Sequence, residues 1–352
     1  RDHIAKMVAH QHNRRGRFRF TSTCQNNTQT HPANQLKQFM SHEPLLPATP
    51  KLWNSETRPL PSHRPQSATR IFSLPNHVLT AFTGAAMPLP ADYHMHTRLC
   101  RHATGEPAQY AASAIAVGLT EIGFSDHSPM QTDGFDDWRM RLSELDEYVE
   151  LVTRARTDFP AIRIALGLEI DFLPGHEDWI RDLAHRHNWD YLIGSVHYVE
   201  PGWDIDNPAK ISTWHDRNPA EVWAAYFDRL SQAAGSGLFD IIGHVDLCKK
   251  FGFVPETDFM PHVREFLSTV ARAGVAIEIN TAGLRKQCHE IYPSRPILEA
   301  AFRLNIPITF GSDAHAPDEV GADFPSAVAL AKDCGYTHAL RFQQRERHVA
   351  RL

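Results

Sequence analysis

The sequence predicts an α/β protein with parallel strands, either a closed barrel or an open doubly wound sheet. Three observations carry this reading. Seven short apolar or β-branched runs alternate with helix-length amphipathic runs from residue 87 onward. Alternation of that kind joins each strand to the next through a helical crossover, so the strands run parallel. Polar side chains able to hold metals then recur at one end of the strands, where a barrel gathers its chemical groups.

Taken in order, strands are expected over 91–94, 120–125, 162–170, 191–196, 239–245, 275–280 and 308–311. The first helix lies in EPAQYAASAIAVG, an Ala-rich run stopped by Gly118. The second, from about Arg139 to Thr157, places Leu142, Leu145, Tyr148, Val149 and Val152 on one face. Further helices are expected over 177–187, 219–234, 260–273, 294–304 and 323–332.

The chain has 352 residues, 42% of them hydrophobic, with 36 Lys plus Arg, 41 Asp plus Glu and 22 His. This is material for one large domain or two small ones, and it excludes collagen, coiled coil and a wholly disordered chain. Charge is unevenly placed. Residues 1–86 carry 11 basic and 3 acidic side chains, leaving 25 basic against 38 acidic in the other 266. The first segment also holds eight of the 24 prolines, so a disordered, basic, Pro-rich extension is expected over 1–86 and the folded domain over 87–352. Met87 stands directly before PLPADYHMHT, which marks it as a candidate natural start.

An acidic body argues against a broad nucleic-acid surface, since phosphate backbones require a positive footprint. No run of 18 apolar residues is present, so no membrane span is expected. The five cysteines, Cys24, Cys100, Cys248, Cys288 and Cys334, show no CxxC and no framework spacing, which fits a reducing cytoplasm. Cys100 and Cys248 are expected to be strand-end packing residues, with an oxidation-sensitive role just behind the ligands as the alternative.

The strand ends read DYHMH, GFSDH, LGLEID, IGSVH, IGHVD, IEINT and FGSDAH. His94 and His96, two apart on an extended segment, project to one face and can share a metal. A lone HxH is a weak signal, and His102, His127, Glu169, His197, His244, Asp313 and His315 would each, taken singly, be an ordinary polar loop residue. Nine such groups converging from six strand ends reverse that judgement. They exceed the needs of one or two ions, so three divalent ions are expected. Histidine with a bridging carboxylate suits Zn, Mn or Fe better than Mg or Ca.

The stretches DYHMHTRLCRHATG, GLTEIGFSDHSPM, LGLEID, YLIGSVHYV, DIIGHVDLCKKFG, EINTAGLRK and FGSDAHAPDEVG resemble the polymerase and histidinol phosphatase (PHP) superfamily, and within it the histidinol-phosphatase branch. The resemblance spans roughly residues 90–340. It implies a distorted seven-stranded (β/α)7 barrel, TIM-barrel-like, with the metal site at the C-terminal ends of the strands. It also implies a partition: His94, His96, Glu169 and Asp313 at a first ion, Glu169 bridging to a second with His197 and His244, and His102, His127 and His315 at a third.

The implied reaction is hydrolysis of L-histidinol phosphate to L-histidinol and phosphate, within histidine biosynthesis, by metal-activated water. Glu169, Asp313 and His315 would serve catalysis from the metal shell. Arg285, just beyond a strand end, is the expected phosphate clamp, because a guanidinium engages two phosphoryl oxygens. Lys249, Lys250 and the loop around Arg217 are the fallback choices, and Asp126 and Asp246 are expected either to orient histidines or to cap helices. The long segment after His197 supplies Trp203, Asp204, Asp206 and Trp214, suited to covering a cationic amine and a flat ring. A small phosphate monoester is thus the expected partner, with no nucleic acid. The alternatives are a phosphoesterase acting on nucleotides or oligonucleotide ends, a module attached to a polymerase, and a noncatalytic metal scaffold. Oligomeric state is not legible.

Overall fold

The protein is described over residues 89–352 in a computed structural model. The expected extension over 1–86, and Met87, lie outside the described residues. Those described belong to one compact unit, Thr80–Leu352.

A six-stranded parallel sheet organises the unit, in the order β1 (Glu121–Phe124), β2 (Arg163–Asp171), β3 (Tyr191–Ser195), β6 (Ile241–Ile242), β7 (Ala276–Asn280) and β8 (Ile308–Gly311). These are six of the seven expected strands, and every pairing is parallel. The segment expected as the first strand forms isolated bridges instead. Asp92 bridges both Ile122 of β1 and Phe310 of β8, while Met95 bridges Ala314. Tyr93 donates to the Phe310 carbonyl at 3.0 Å, and Gly123 donates to that of Asp92 at 2.7 Å. This segment therefore hydrogen-bonds to both edge strands of the curled sheet.

Helices cover the outside: α1 (Pro107–Ala116), α2 (Leu145–Asp158), α3 (Glu177–Arg186), α4 (Pro219–Gly235), α5 (Met260–Ala273), α6 (Arg295–Arg303) and α7 (Phe324–Asp333). Their ends follow local chemistry. Asn218 accepts from the Ala220 amide ahead of Pro219 at the start of α4, and Gly274, at φ 68°, ends α5 in the left-handed conformation. The apolar faces of all seven helices join one large buried cluster.

A second buried cluster, Tyr93, Ala165, Tyr191, Ile193, Ile241, Ala276, Leu340 and Phe342 among others, fills the concave side of the sheet. Tyr191 lies where a Cβ on Gly167 would stand, so glycine is needed there for the ring to enter. Phe342 belongs to an antiparallel hairpin, β9 (His338–Gln343) with β10 (Glu346–Arg351), which the periodicity of the sequence did not indicate. The hairpin attaches through Arg345 to Asp240 at 2.8 Å and through the Gln344 amide to Asp190 at 3.1 Å. A second unpredicted pair, β4 (Tyr198–Glu200) with β5 (Trp203–Asp204), shapes the long segment after His197. Among the described residues no helix is long and apolar enough to cross a membrane.

Candidate metal centre

Most of the expected ligands sit at or just past the end of a strand that fixes their direction, whereas His94 and His96 lie on the bridging segment before β1 and His102 follows the 3-10 turn Arg98–Cys100. His94 and His96 flank Met95, and the backbone around them pairs with the loop after β8: His96 donates to the Ala314 carbonyl at 2.9 Å and Ala314 to that of His94 at 3.2 Å. This brings Asp313 and His315 against the HxH pair. The His96 and His315 rings stack at 4.1 Å between centroids. Asp313 has φ 54°, a left-handed conformation that Asp tolerates better than most residues, and its Oδ1 lies 3.2 Å from His96 Nε2. His127 bridges Glu169 across β1 and β2, with its Nδ1 2.8 Å from Glu169 Oε2.

Glu169 is the hub. Its Oε2 faces His94 Nε2 at 3.3 Å and His96 Nε2 at 3.7 Å, while its Oε1 faces His244 Nε2 at 2.8 Å and His197 Nε2 at 3.6 Å. Three groups of the expected ligands result: His94, His96 and Glu169; Glu169, His197 and His244; and His102, His127 and His315, with the ligand atoms of each group within 4.8 Å of one another. Asp313, which the resemblance puts at the first ion, is in none of these groups, although its Oδ1 lies 3.2 Å from His96 Nε2. A fourth group, His96, Cys100 and His315, did not figure in that reading.

These residues fit metal ions on chemical grounds. His94 Nε2, both ring nitrogens of His96, His244 Nδ1 and His315 Nε2 are buried without a hydrogen-bond partner. Leaving so many buried polar atoms unsatisfied costs several kcal/mol by the order of magnitude of each loss, about 1–3 kcal/mol, and a cation removes the cost. The opposite ring nitrogens are meanwhile anchored: His94 Nδ1 lies 2.7 Å from Glu278, His197 Nδ1 2.9 Å from Asp171 and His102 Nδ1 2.8 Å from the Cys100 carbonyl. A carboxylate or carbonyl behind an imidazole fixes its tautomer and directs its other nitrogen to a metal.

The electrostatics agree. Burial opposes ionisation of Glu169, but His127, His94 and His197 hold its carboxyl well below the usual range. Burial likewise opposes the charge on Asp313, and His94 and His96 outweigh it. Although burial disfavours the His197 cation, Asp171, Asp206 and Glu169 push that imidazole up to about 10. Burial instead drives His127 and His315 well below the ordinary histidine value.

Glu278 and Asp171 are the functional residues that sequence reasoning missed. Both were visible as acids in otherwise apolar strands, each two residues from a polar strand-end group on the same face: Glu278 before Asn280, and Asp171 after Glu169. Asp126 lies 3.4 Å from His96 Nδ1 and accepts from Thr97, whereas Asp246 pairs with Lys249 and accepts from the Ser294 amide ahead of α6. Of the two, Asp126 stands beside a ligand histidine, and Asp246 neither faces one nor caps the turn that it precedes.

A cavity of about 250 Å³ opens over the ligands, with Lys250 and Lys286 on its wall. Arg285 does not share that wall. Its guanidinium donates to the Ser312 carbonyl at 2.7 Å and faces Glu319 at 3.4 Å, which ties it to the loop carrying Asp313. Lys249 is buried against Asp246 and Glu290, and Arg217 pairs with Glu200 at the surface. A larger space of about 530 Å³ adjoins, lined by Trp138, Asp204, Asp206 and Asn207 and sharing His102, His127, His197 and Lys250. The expectation that Trp203 and Trp214 cover the ligand is corrected here. Both are core residues: the Trp214 indole donates to the Ile205 carbonyl at 2.7 Å and stacks on Phe253. Trp138 is the aromatic at the cavity, donating to Asp204 at 3.0 Å.

With this geometry in place, the comparisons with known proteins become specific. The family described as PHP domain matches residues 92–282, more than half of the chain. The chain belongs to the PHP-domain family. A segment described as PHP-associated follows over 295–322. A Deinococcus radiodurans protein named "Probable histidinol-phosphatase" is 42% identical over 246 residues, covering 69% of this chain and 93% of the relative. The Bacillus subtilis histidinol-phosphatase is 28% identical over 258 residues, covering 65% of this chain and 95% of its own. These relatives place the chain in the histidinol-phosphatase branch of the PHP family. Histidinol phosphate phosphatase from Lactococcus lactis, solved with zinc, L-histidinol and phosphate, shares the fold with a TM-score of 0.62 at 23% identity, covering 74% of this chain and 98% of that one.

Proposed function

We propose that this PHP-domain protein is a metal-dependent histidinol-phosphatase, which hydrolyses L-histidinol phosphate to L-histidinol and phosphate in histidine biosynthesis. The observation that carries the reading is the convergence of eight of the nine expected ligands into three groups, two of them joined through Glu169, with Asp313 Oδ1 3.2 Å from His96 Nε2 of the first. Three divalent ions, with Zn, Mn or Fe as the residents, are supported by that grouping and by a donor set of imidazole and carboxylate. Bound there, divalent ions lower the pKa of a water molecule and neutralise charge on a phosphoryl group. The seven-stranded barrel is supported by the bridges of Asp92 to both edge strands.

The chain's own residues supply the rest. His94, His96, Glu169 and Asp313 make the first position, His197 and His244 complete the second around Glu169, and His102, His127 and His315 make the third. Glu169 and Asp313 keep the floor of the cavity anionic, and their hold on the imidazoles sets the spacing of the groups. Lys250 and Lys286, on the cavity wall, meet the phosphoryl oxygens. Arg285, expected to do so directly, acts from behind by holding Ser312 beside Asp313. Trp138 offers an aromatic face to the organic part of the substrate, beside Asp204 and Asp206, which are paired with Lys210 and Lys250. The catalytic domain is read as 87–352, since every proposed ligand lies between His94 and His315. Four free cysteines among the described residues support a reducing cytoplasm.

The test compares kcat/KM for histidinol phosphate, nucleoside monophosphates and short oligonucleotides on one metal-loaded preparation. A strong preference for histidinol phosphate is expected. Preference for nucleotides or oligonucleotide ends would move the protein to the alternative phosphoesterase reading.

A further inference from the structure

We propose that Cys100 forms, with His96 and His315, an inhibitory position for a thiophilic divalent ion, one that competes with the resident metals rather than adding to them. The inference rests on the three-metal reading above, because His96 belongs to its first group and His315 to its third.

Cys100 is fully buried, yet it belongs to neither apolar cluster, whereas Cys248 and Cys334 are part of the large one. Its burial therefore is not explained by apolar packing. Its sulfur and the ligand nitrogens of His96 and His315 all lie within 4.8 Å of one another. Both ring nitrogens of His96 and Nε2 of His315 are buried and without a hydrogen-bond partner, so the thiol faces groups equipped to complete a site.

The thiol is also held in place. It ends a short 3-10 turn, Arg98–Cys100, whose first residue is preceded by Thr97 accepting from the Leu99 amide. Thr97 is tied in turn to the Asp126 carboxylate. Arg101, at φ 72°, closes the turn by donating to the Arg98 carbonyl. The neighbouring His102 is anchored to the carbonyl of Cys100 itself. With backbone fixed on both sides, the sulfur stays directed at the histidines.

Two imidazoles and one thiolate favour a soft ion over Mn or Mg. On binding, the thiol loses its proton to solvent, the metal–sulfur bond forms, and no electron is transferred. An ion seated there takes His96 from the first group and His315 from the third, so both resident positions lose a ligand. The same histidines thus serve two exclusive arrangements, and the softness of the metal supplied selects between them.

The experiment uses the full chain loaded with manganese, with metal content and activity recorded first. Fewer than three manganese ions per active chain would overturn the three-metal reading before cadmium is added. Cadmium is then titrated into wild type and Cys100→Ser, reading the thiolate-to-cadmium charge-transfer absorption, manganese release and activity. Wild type should gain the absorption, release manganese and lose activity. The serine variant should lack that part of the absorption and need at least about tenfold more cadmium for the same inhibition, as expected for removing a ligand. Equal inhibition of both proteins without a thiolate band in their difference spectrum would overturn the proposal. Should the variant not fold, X-ray absorption of wild type with one cadmium per chain decides: sulfur with imidazole neighbours supports the site, and nitrogen and oxygen neighbours alone defeat it.

Discussion

Glu169 and Glu278 are both buried acids among the same histidines, and their positions assign them different work. Glu169 places one oxygen toward His94, His96 and His127 and the other toward His197 and His244, so it serves two groups at once. Glu278 stands behind His94 Nδ1 at 2.7 Å and accepts from the His244 amide at 2.8 Å. Glu169→Gln removes the charge that two cations share, and an amide is the poorer ligand. Metal analysis of that variant should show loss from both groups with a collapse of kcat. Glu278→Gln keeps every ligand and should weaken metal binding by ~10- to 100-fold. Near-normal occupancy in Glu169→Gln would defeat the bridging assignment. The basic residues separate in the same way. Lys286→Ala should raise KM, because Lys286 lines the cavity. Arg285→Ala should mainly lower metal content and Tm, since its guanidinium holds the Ser312 carbonyl. A rise in KM confined to Arg285→Ala would return the phosphate contact to Arg285.

At the scale of elements, the neighbouring ends of β7 and β8 decide whether Glu278 can reach His94. Gly311, the last residue of β8, lies where a Cβ would overlap the Glu278 carboxylate and press on the His94 Cβ. Gly311 is paired with Asn280 in the ladder, so neither strand can shift without breaking that register. Gly311→Ala should therefore displace Glu278 and lower metal occupancy at the first group while the helices stay folded. Circular dichroism with metal analysis checks it: unchanged occupancy would mean that the carboxylate has another route to the imidazole. The loop carrying Trp138 illustrates the same dependence on a neighbour. Its indole reaches Asp204 at 3.0 Å only because the hairpin β4–β5 folds the segment after His197 back over the site.

For the whole molecule, the buried unsatisfied ligands couple metal occupancy to stability. Chelation should lower Tm, and reloading with Zn or Mn should restore it. Protons compete with metal at the same nitrogens. In the metal-free protein His94 and His96 are raised well above the ordinary histidine value, against the effect of burial, by surrounding carboxylates, and His197 is raised to about 10. Metal uptake should therefore release protons near neutral pH, and affinity should climb as pH rises toward the His197 value of about 10. His127 and His315, which burial holds neutral, contribute no such release. Calorimetric metal titrations in buffers of different ionisation enthalpy measure it. Uptake without proton release near neutral pH would contradict the charged state of these histidines.

Six parallel strands, the order of the helices and the nine candidate ligand residues were legible in the sequence. Strand and helix periods are local, and a His or Asp directly after an apolar run is placed by the run itself. A partition of those candidates among ions followed from family resemblance, and in the folded chain eight of them fall into three groups. Other features depended on residues far apart in sequence. The β9–β10 hairpin has a weakly apolar pattern, and only its contact with Tyr93 and Tyr191 makes Phe342 a core residue. Arg285 follows a strand end, as Lys286 does, yet the Ser312 carbonyl drew its guanidinium away from the cavity. Glu278, Asp171 and Cys100 gained their significance from partners brought to them by the tertiary structure. The sequence by itself determined which chemical groups stand at the strand ends, because that depends on neighbours along the chain. Tertiary structure decided which of them ligate, orient or clamp, because those roles depend on ångström-scale distances between segments that only packing sets.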